Sequence, residues 1–271
     1  MNEELLYRVS GLQLFLILIA LLMVSSLSGS LAGRRKRELV SDDVKSQVSA
    51  LQGSLLGLLA LLLGFTFSMT VSRYDLRKQL ILEEANAIGT TYLRAGLLPA
   101  PYASQAIELL REYVGIRVAL SESGGDETSR STLQAANEKA EKLHNQLWSV
   151  ARGVESLQPR SVATGLFIQS LNEVIDLHAK RLIALDNHVP EPVILMLWSV
   201  GLLSMGLTSY SCSLAGWRHY LATFMMALLI ASVIGLIMDL DRPQRGFIRV
   251  SQKSMLMLQE SMLKNRAGAI P

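Results

Sequence analysis

The chain has one cysteine in 271 residues, Cys212. That excludes a disulfide framework and any cysteine-rich metal centre; inside an apolar stretch the residue reads as a small packing group. Four histidines, His144, His178, His188 and His219, show no metal-ligand spacing with one another or with Cys212. No phosphate-cradling glycine loop and no nucleophile elbow occurs, so nothing points to an enzyme, a metal or a cofactor. The net charge of +3 is small for this length and gives no footprint for nucleic acid. No internal repeat marks a solenoid, and the two apolar hairpins do not mirror each other as those of an inverted-repeat transporter would. The most informative absence is that of charge. Residues 9–33, 46–72, 192–217 and 219–238 contain no Asp, Glu, Lys or Arg. Proton relays and voltage sensors need ionisable groups at membrane depth, and these windows offer none.

Those windows also hold most of what is present. Half the residues are hydrophobic and the mean hydropathy is +0.31, values ordinary for a protein that crosses a membrane several times. Each window reaches the roughly 20 apolar residues that span a bilayer core. The first is longer than the core of a signal peptide and is followed by Arg34-Arg35-Lys36-Arg37, so it reads as a retained span. The predicted organisation is all-α. A first transmembrane hairpin covers 1–72 (spans about 10–32 and 50–72), and a helical soluble domain covers 73–190. A second hairpin covers 191–240 (spans about 192–213 and 219–239), and the tail over 241–271 carries a short amphipathic helix around Ser254–Leu263. Within the soluble part, helices are expected near 102–120, 132–155 and 160–187, with SESGGDETSRS (121–131) as a loop. No proline interrupts the second span or the charged stretch after it, so one rod is expected from about Gln52 to Leu97, ending at the LLPAP segment.

Small residues recur at four-residue steps: Ser25, Gly29 and Gly33 in the first span, Gly53 and Gly57 with Ala60, Gly64 and Ser68 in the second, Ala227, Ala231 and Gly235 in the fourth. Such stripes let helix backbones approach closely in lipid. Gly57, Leu61, Phe65 and Ser68 share a face of the second span. If several copies surrounded an axis, Leu61 and Phe65 would make an apolar ring, and such constrictions gate by dewetting. Residues packing a closed bundle would present the same pattern. Arg73 and Arg77 are expected where the rod leaves the membrane, raising the local concentration of anions. His178 lies near Glu173, Asp176 and Arg181, as part of a polar cluster or as a hydrogen-bonded histidine on an apolar helix stripe.

The segment GLLALLLGFTFSMTVSRYDLRKQLILEEANAIGT, with Gly64-Phe65 nine residues ahead of Arg73-Tyr74, resembles the pore-lining second helix of bestrophin anion channels. YLRAGLLP, SLNEVIDLHAKR and MDLDRPQRGFIRVS extend the resemblance over most of the chain, closest to a bestrophin-like family of bacterial membrane proteins. The resemblance implies a homo-oligomer, in bestrophins a pentamer, with the second helix around the axis and small anions passing through. Gly57 departs from the bulky residues of the bestrophin neck, which implies a shorter or wider constriction. No acidic calcium clasp follows the fourth span, so calcium gating is not implied. The expected partners are other copies of the chain, membrane lipid and small anions. The expected location is the bacterial inner membrane, with termini and soluble domain cytoplasmic, although the basic run at 34–37 argues for the opposite orientation. The alternative is a non-conducting scaffold or sensor whose helical domain binds a partner.

Overall fold

The computed structural model describes residues 9–122, 129–216, 220–242 and 248–268. These form eight helices: α1 (Gly11–Lys36), α2 (Asp42–Ala95), α3 (Tyr102–Glu122), α4 (Ser129–Leu157), α5 (Val162–Asp186), α6 (Glu191–Leu214), α7 (Tyr220–Asp241) and α8 (Lys253–Gly268). No strand occurs among the described residues. Most of the expected 121–131 loop, with His219 and part of the MDLDRPQRG segment, lies outside them.

The expected rod is one helix, and it is longer than the hydropathy pattern predicts. α2 runs for 54 residues, about 80 Å at 1.5 Å per residue. It begins at Asp42 rather than near residue 50, because Asp42 and Asp43 occupy its first turn, where carboxylates favour the helix dipole. Hydropathy marks only where the apolar part begins. At the other end Gly96 and Pro99 follow Ala95, so the helix stops there. Among the described residues, helices long and apolar enough to cross a membrane occur four times, and the chain is a multi-pass membrane protein.

The chain divides into two compact units. The first comprises Met1–Arg73 and His188–Ile248, the second Tyr74–Asn187 and Arg249–Pro271. In the first, α1 packs closely on α6 and α7. Leu14, Leu18 and Leu22, one per helical turn, are buried with Ile194, Leu197 and Met205 of α6 and Ala227, Ile230, Ala231 and Ile234 of α7. The small-residue stripe of α1 has its partner here. A Cβ on Gly29 or Gly33 would overlap backbone oxygens of Gly206 and Tyr210. At this crossing Ser25 donates to the Leu202 carbonyl at 2.6 Å, Ser26 and Ser209 hydroxyls meet at 2.8 Å, and Ser213 donates to Ser30 at 2.9 Å. Hydroxyl pairs between close backbones are how helices associate where burial from water supplies no force. Gly235 of α7 lies against the Phe15 ring. The stripes of the first and fourth spans therefore pack one chain internally.

In the second unit the later turns of α2 join α3, α4, α5 and α8 around a soluble-type core. Ile88, Leu110, Tyr113, Leu147, Phe167, Leu171 and Met255 are fully buried in it. Ser161 caps α5 by accepting from the Thr164 amide.

Candidate functional site

α2 presents two unlike faces, and their positions follow from about 100° of rotation per residue. One face is buried: Leu59, Thr66, Thr70, Arg77, Leu80, Glu84, Ile88, Thr91 and Ala95 recur at three- and four-residue steps. Thr66, Thr70 and Thr91 return their hydroxyls to the carbonyls of Leu62, Thr66 and Ala87 at 2.7–2.8 Å, so this face carries no open polar group there. The opposite face is uncovered. Gly57, Leu61, Phe65 and Ser68 are all exposed, Leu61 at 55% and Phe65 at 67%. A Cβ built on Gly53, Gly57 or Gly64 meets nothing within 4 Å. Phe65 is therefore not part of this chain's own bundle interior, which removes the internal-packing reading for it.

The two arginines expected beside that face lie elsewhere. Arg77 follows Leu59 by eighteen residues, about five full turns, so it shares the buried face and is only 3% exposed. Its guanidinium donates to the carbonyls of Ala184 at 3.0 Å and Asn187 at 2.9 Å, capping the C-terminal end of α5, where a cation is favoured by the helix dipole. Arg73 also turns toward its own chain. It lies 3.7 Å from the carboxylate of Asp241, the last residue of α7. Asp241 is fully buried and accepts from the Val189 amide at 2.8 Å, just ahead of α6. The ion pair ties α2 to both helices of the second hairpin. The structure thus brings Gly57, Leu61, Phe65 and Ser68 together on one open face and carries Arg73 and Arg77 away from it.

The second unit holds a buried polar cluster. Glu84 of α2 is fully buried; its Oε1 accepts from Tyr113 Oη at 2.6 Å and lies 3.3 Å from Arg117 Nε, and its Oε2 accepts from Arg181 Nη1 at 2.6 Å and from Arg117 Nη2 at 3.4 Å. His178 Nδ1 is 3.1 Å from Tyr113 Oη, and the His144 and His178 rings stand edge-on with centroids 5.0 Å apart. Burial pushes the Glu84 carboxyl up, but Arg117, Arg181 and the bonds from Tyr113 and Arg181 outweigh it and hold the group below the usual carboxylate range. Burial and the neighbouring Glu84 charge push the Tyr113 phenol well above its ordinary value. His144 is lowered to about 4, chiefly by burial, with Arg117 adding and Glu84 opposing. His178 falls to about 4 through burial, Arg117 and His144. The cluster is thus one carboxylate, two guanidiniums and two neutral imidazoles near neutral pH.

His178 and Arg181 do belong to a polar cluster, but Glu173 and Asp176 are exposed and take no part in it. Their place is filled by Glu84, 97 residues before Arg181. Local spacing could not supply that carboxylate. Its one sequence signal is a charged residue in step with the apolar stripe of α2. A surface recess of about 330 Å³, lined by Glu108, Arg111, Glu112, Gln259 and Met262 among others, includes none of the cluster's side chains. Among the described residues no group of three or more potential ligands is arranged to hold a metal.

No curated protein matches the chain. Solved structures do. A crystal structure of a bacterial bestrophin homolog from Klebsiella pneumoniae, carrying one substitution, superposes with a TM-score of 0.69 at 16% identity, over 92% of this chain and 98% of that one. A second crystal structure of the Klebsiella pneumoniae homolog gives 0.66 at 17% identity, over 93% and 99%. At such identities the likeness is one of fold. The bestrophin-like domain matches residues 14–255, nearly the whole length, and the chain belongs to that family.

Proposed function

We propose that several copies of this chain assemble around an axis as a membrane channel that passes small ions passively, with the open face of α2 lining the passage. One observation carries the reading: the composition of that face. Lipid-facing positions on the other spans are bulky and apolar, such as Leu12, Leu16, Leu203, Leu221 and Leu229. The side of α2 opposite Leu59 instead carries Gly53, Ser54, Gly57, Gly64, Ser68 and Ser72 beside Leu61 and Phe65, with the exposed Leu51, Leu58, Phe67 and Met69 on its flanks. Glycine and serine leave lipid tails poorly packed, yet they suit a neighbouring helix or water. Leu61 and Phe65 then form the narrow apolar segment and Gly57 widens it at one end. Five copies is the number that the resemblance to bestrophins implies, and small anions the cargo it implies. The arginines no longer support that cargo, since both face their own chain. No catalytic role is assigned to any residue. The natural setting of this reading is a bacterial inner membrane, with the termini and the helical unit in the cytoplasm.

The test is the protein in nanodiscs and liposomes. The expected particle mass is a multiple of the 29.8 kDa chain, and liposomes containing it should leak a small ion down its gradient. A folded monomer would end the axial reading. A folded oligomer silent to both cations and anions would put the partner-binding scaffold in its place.

A further inference from the structure

The first span ends in four successive cations, Arg34, Arg35, Lys36 and Arg37, directly after a charge-free window. All four are exposed, and among the described residues none of them pairs with a carboxylate. Asp42, six residues past Lys36, is taken by Lys45 at 2.8 Å. The dipole of α1 favours cations in its last turn, but like charges at three-residue spacing repel each other. The usual topological role of such a run points away from the orientation proposed above, so the run calls for a partner of its own.

Two of the four cations are held in place by the second hairpin. At about 100° of rotation per residue, Arg34 and Arg37 share a side of α1, whereas Arg35 and Lys36 point about 100° and 160° away from Arg34. The Arg34 guanidinium donates to the Tyr220 hydroxyl at the start of α7 and lies over that ring, 5.9 Å from its centroid. The Arg37 guanidinium rests on Gly216 in the α6–α7 turn, where a Cβ would meet its Nη2 at 2.5 Å. Tyr220 accepts from Arg34 and keeps its own O–H to donate. Below this pair the same side of α1 continues as Leu31 and Leu27, and the Tyr220 side of α7 as Phe224 and Leu228, all four exposed.

We infer that Arg34, Arg37 and Tyr220 bind the phosphodiester of an anionic phospholipid, whose acyl chains lie along Leu27, Leu31, Phe224 and Leu228. Guanidiniums meet phosphate oxygens with paired N–H donors, and lipid phosphates lie where an apolar span gives way to basic residues. A soluble phosphate would satisfy the same donors but leave the apolar side chains beneath them uncovered. The site requires neither a passage nor an oligomer, so it goes beyond the channel reading and stands apart from it.

Native mass spectrometry of the full-length protein in detergent, titrated with phosphatidylglycerol or phosphatidylcholine, tests this. Wild type should bind phosphatidylglycerol roughly tenfold more tightly, the scale of one charge-assisted hydrogen bond. R34Q/R37Q should lose that preference, whereas R35Q/K36Q, which removes the same charge, should keep it. R34K/R37K keeps the charge without the paired donors and should lose about threefold in affinity; it serves as the test if R34Q/R37Q does not fold, and unchanged binding there overturns the inference. Equal losses in the two glutamine variants would reduce the site to diffuse charge, and equal affinity of wild type for both lipids would remove it. Inorganic phosphate displacing phosphatidylglycerol at matched concentration would assign the donors to a soluble anion instead. A protein that passes no current leaves these readouts unaffected.

Discussion

Glu84→Gln isolates the energetics of the buried cluster. The substitution keeps volume and shape but removes the single negative charge set between Arg117 and Arg181, which are 2% and 8% exposed. Both guanidiniums are then left without a counter-charge where water cannot reach them. Breaking a buried pair by removing one partner costs about 3–5 kcal/mol. With about 2–4 °C per kcal/mol for domains of 150–250 residues, the melting temperature should fall by about 6–20 °C. Melting in nanodiscs at one fixed scan rate reads the change, since membrane proteins seldom unfold reversibly. Hydrogen exchange should locate it, with amides of α3 and α5 losing protection before those of α1 and α6. The control is Glu84→Gln with Arg181→Gln. If stranded charge is the cause, deleting one of the two cations recovers part of the loss. A melting temperature within about 2 °C of wild type for Glu84→Gln, a shift worth about 1 kcal/mol or less, would refute the argument. So would a double variant no more stable than the single one.

Acid should loosen the same cluster. His144 and His178 titrate near 4 in the fold against 6.5 in the unfolded chain. Their contribution is complete above pH 6.5 and is lost as pH falls toward 4, by at most about 3 kcal/mol each. His144→Gln with His178→Gln should flatten the melting profile across that window, whereas Glu84, with its lowered value, is lost only below 4.5. Gly29→Leu should abolish the folded protein by forcing α1 from α6, whereas Gly57→Leu should leave protomer stability within about 1 kcal/mol and alter assembly or current, as read by expression and size exclusion. Phe65→Ala should raise ion flux in liposomes by removing a dewetting barrier without lowering the melting temperature of the protomer; unchanged flux through an assembled channel would remove Phe65 from the constriction. In a Cys212→Ser background, an impermeant thiol reagent applied to whole cells should label a cysteine at Ser41 and miss one at Gln158; the reverse result inverts the topology.

Much of the architecture was legible because membrane spans and long helices leave one-dimensional signals. Charge-free runs marked the spans, and Pro99 and Pro101 marked where α2 had to end. The extra turns of α2 from Asp42 were not legible from hydropathy, since Asp42, Asp43 and Lys45 form a soluble helical lead. Which small-residue stripe packs internally was not legible either. Ser25, Gly29 and Gly33 look like Gly53, Gly57 and Gly64 in sequence, and only the three-dimensional pairing with Gly206 and Tyr210 separates them. The Glu84 cluster was hidden for another reason, its members being drawn from α2, α3, α4 and α5.

The placement of Arg73 and Arg77 is a different case, because the information was in the sequence. Leu61 and Arg77 are sixteen residues apart, about four and a half turns, so a regular helix cannot aim both at one axis. The apolar ring and the basic mouth were each reasonable by composition and incompatible by phase. The phase that buries Leu59 and Thr70 also buries Arg77 and Glu84, because the same side of α2 is the covered one from Leu59 to Ala95. In lipid that side needs small and apolar groups with their hydroxyls returned to the backbone; outside lipid it can hold charge, provided each charge meets a partner such as the α5 carbonyls or Arg181. The opposite side is relieved of both demands. Its sequence is therefore free of the demands of packing, and beyond Ser72 it carries Asp75, Gln79, Leu82 and Asn86, all exposed.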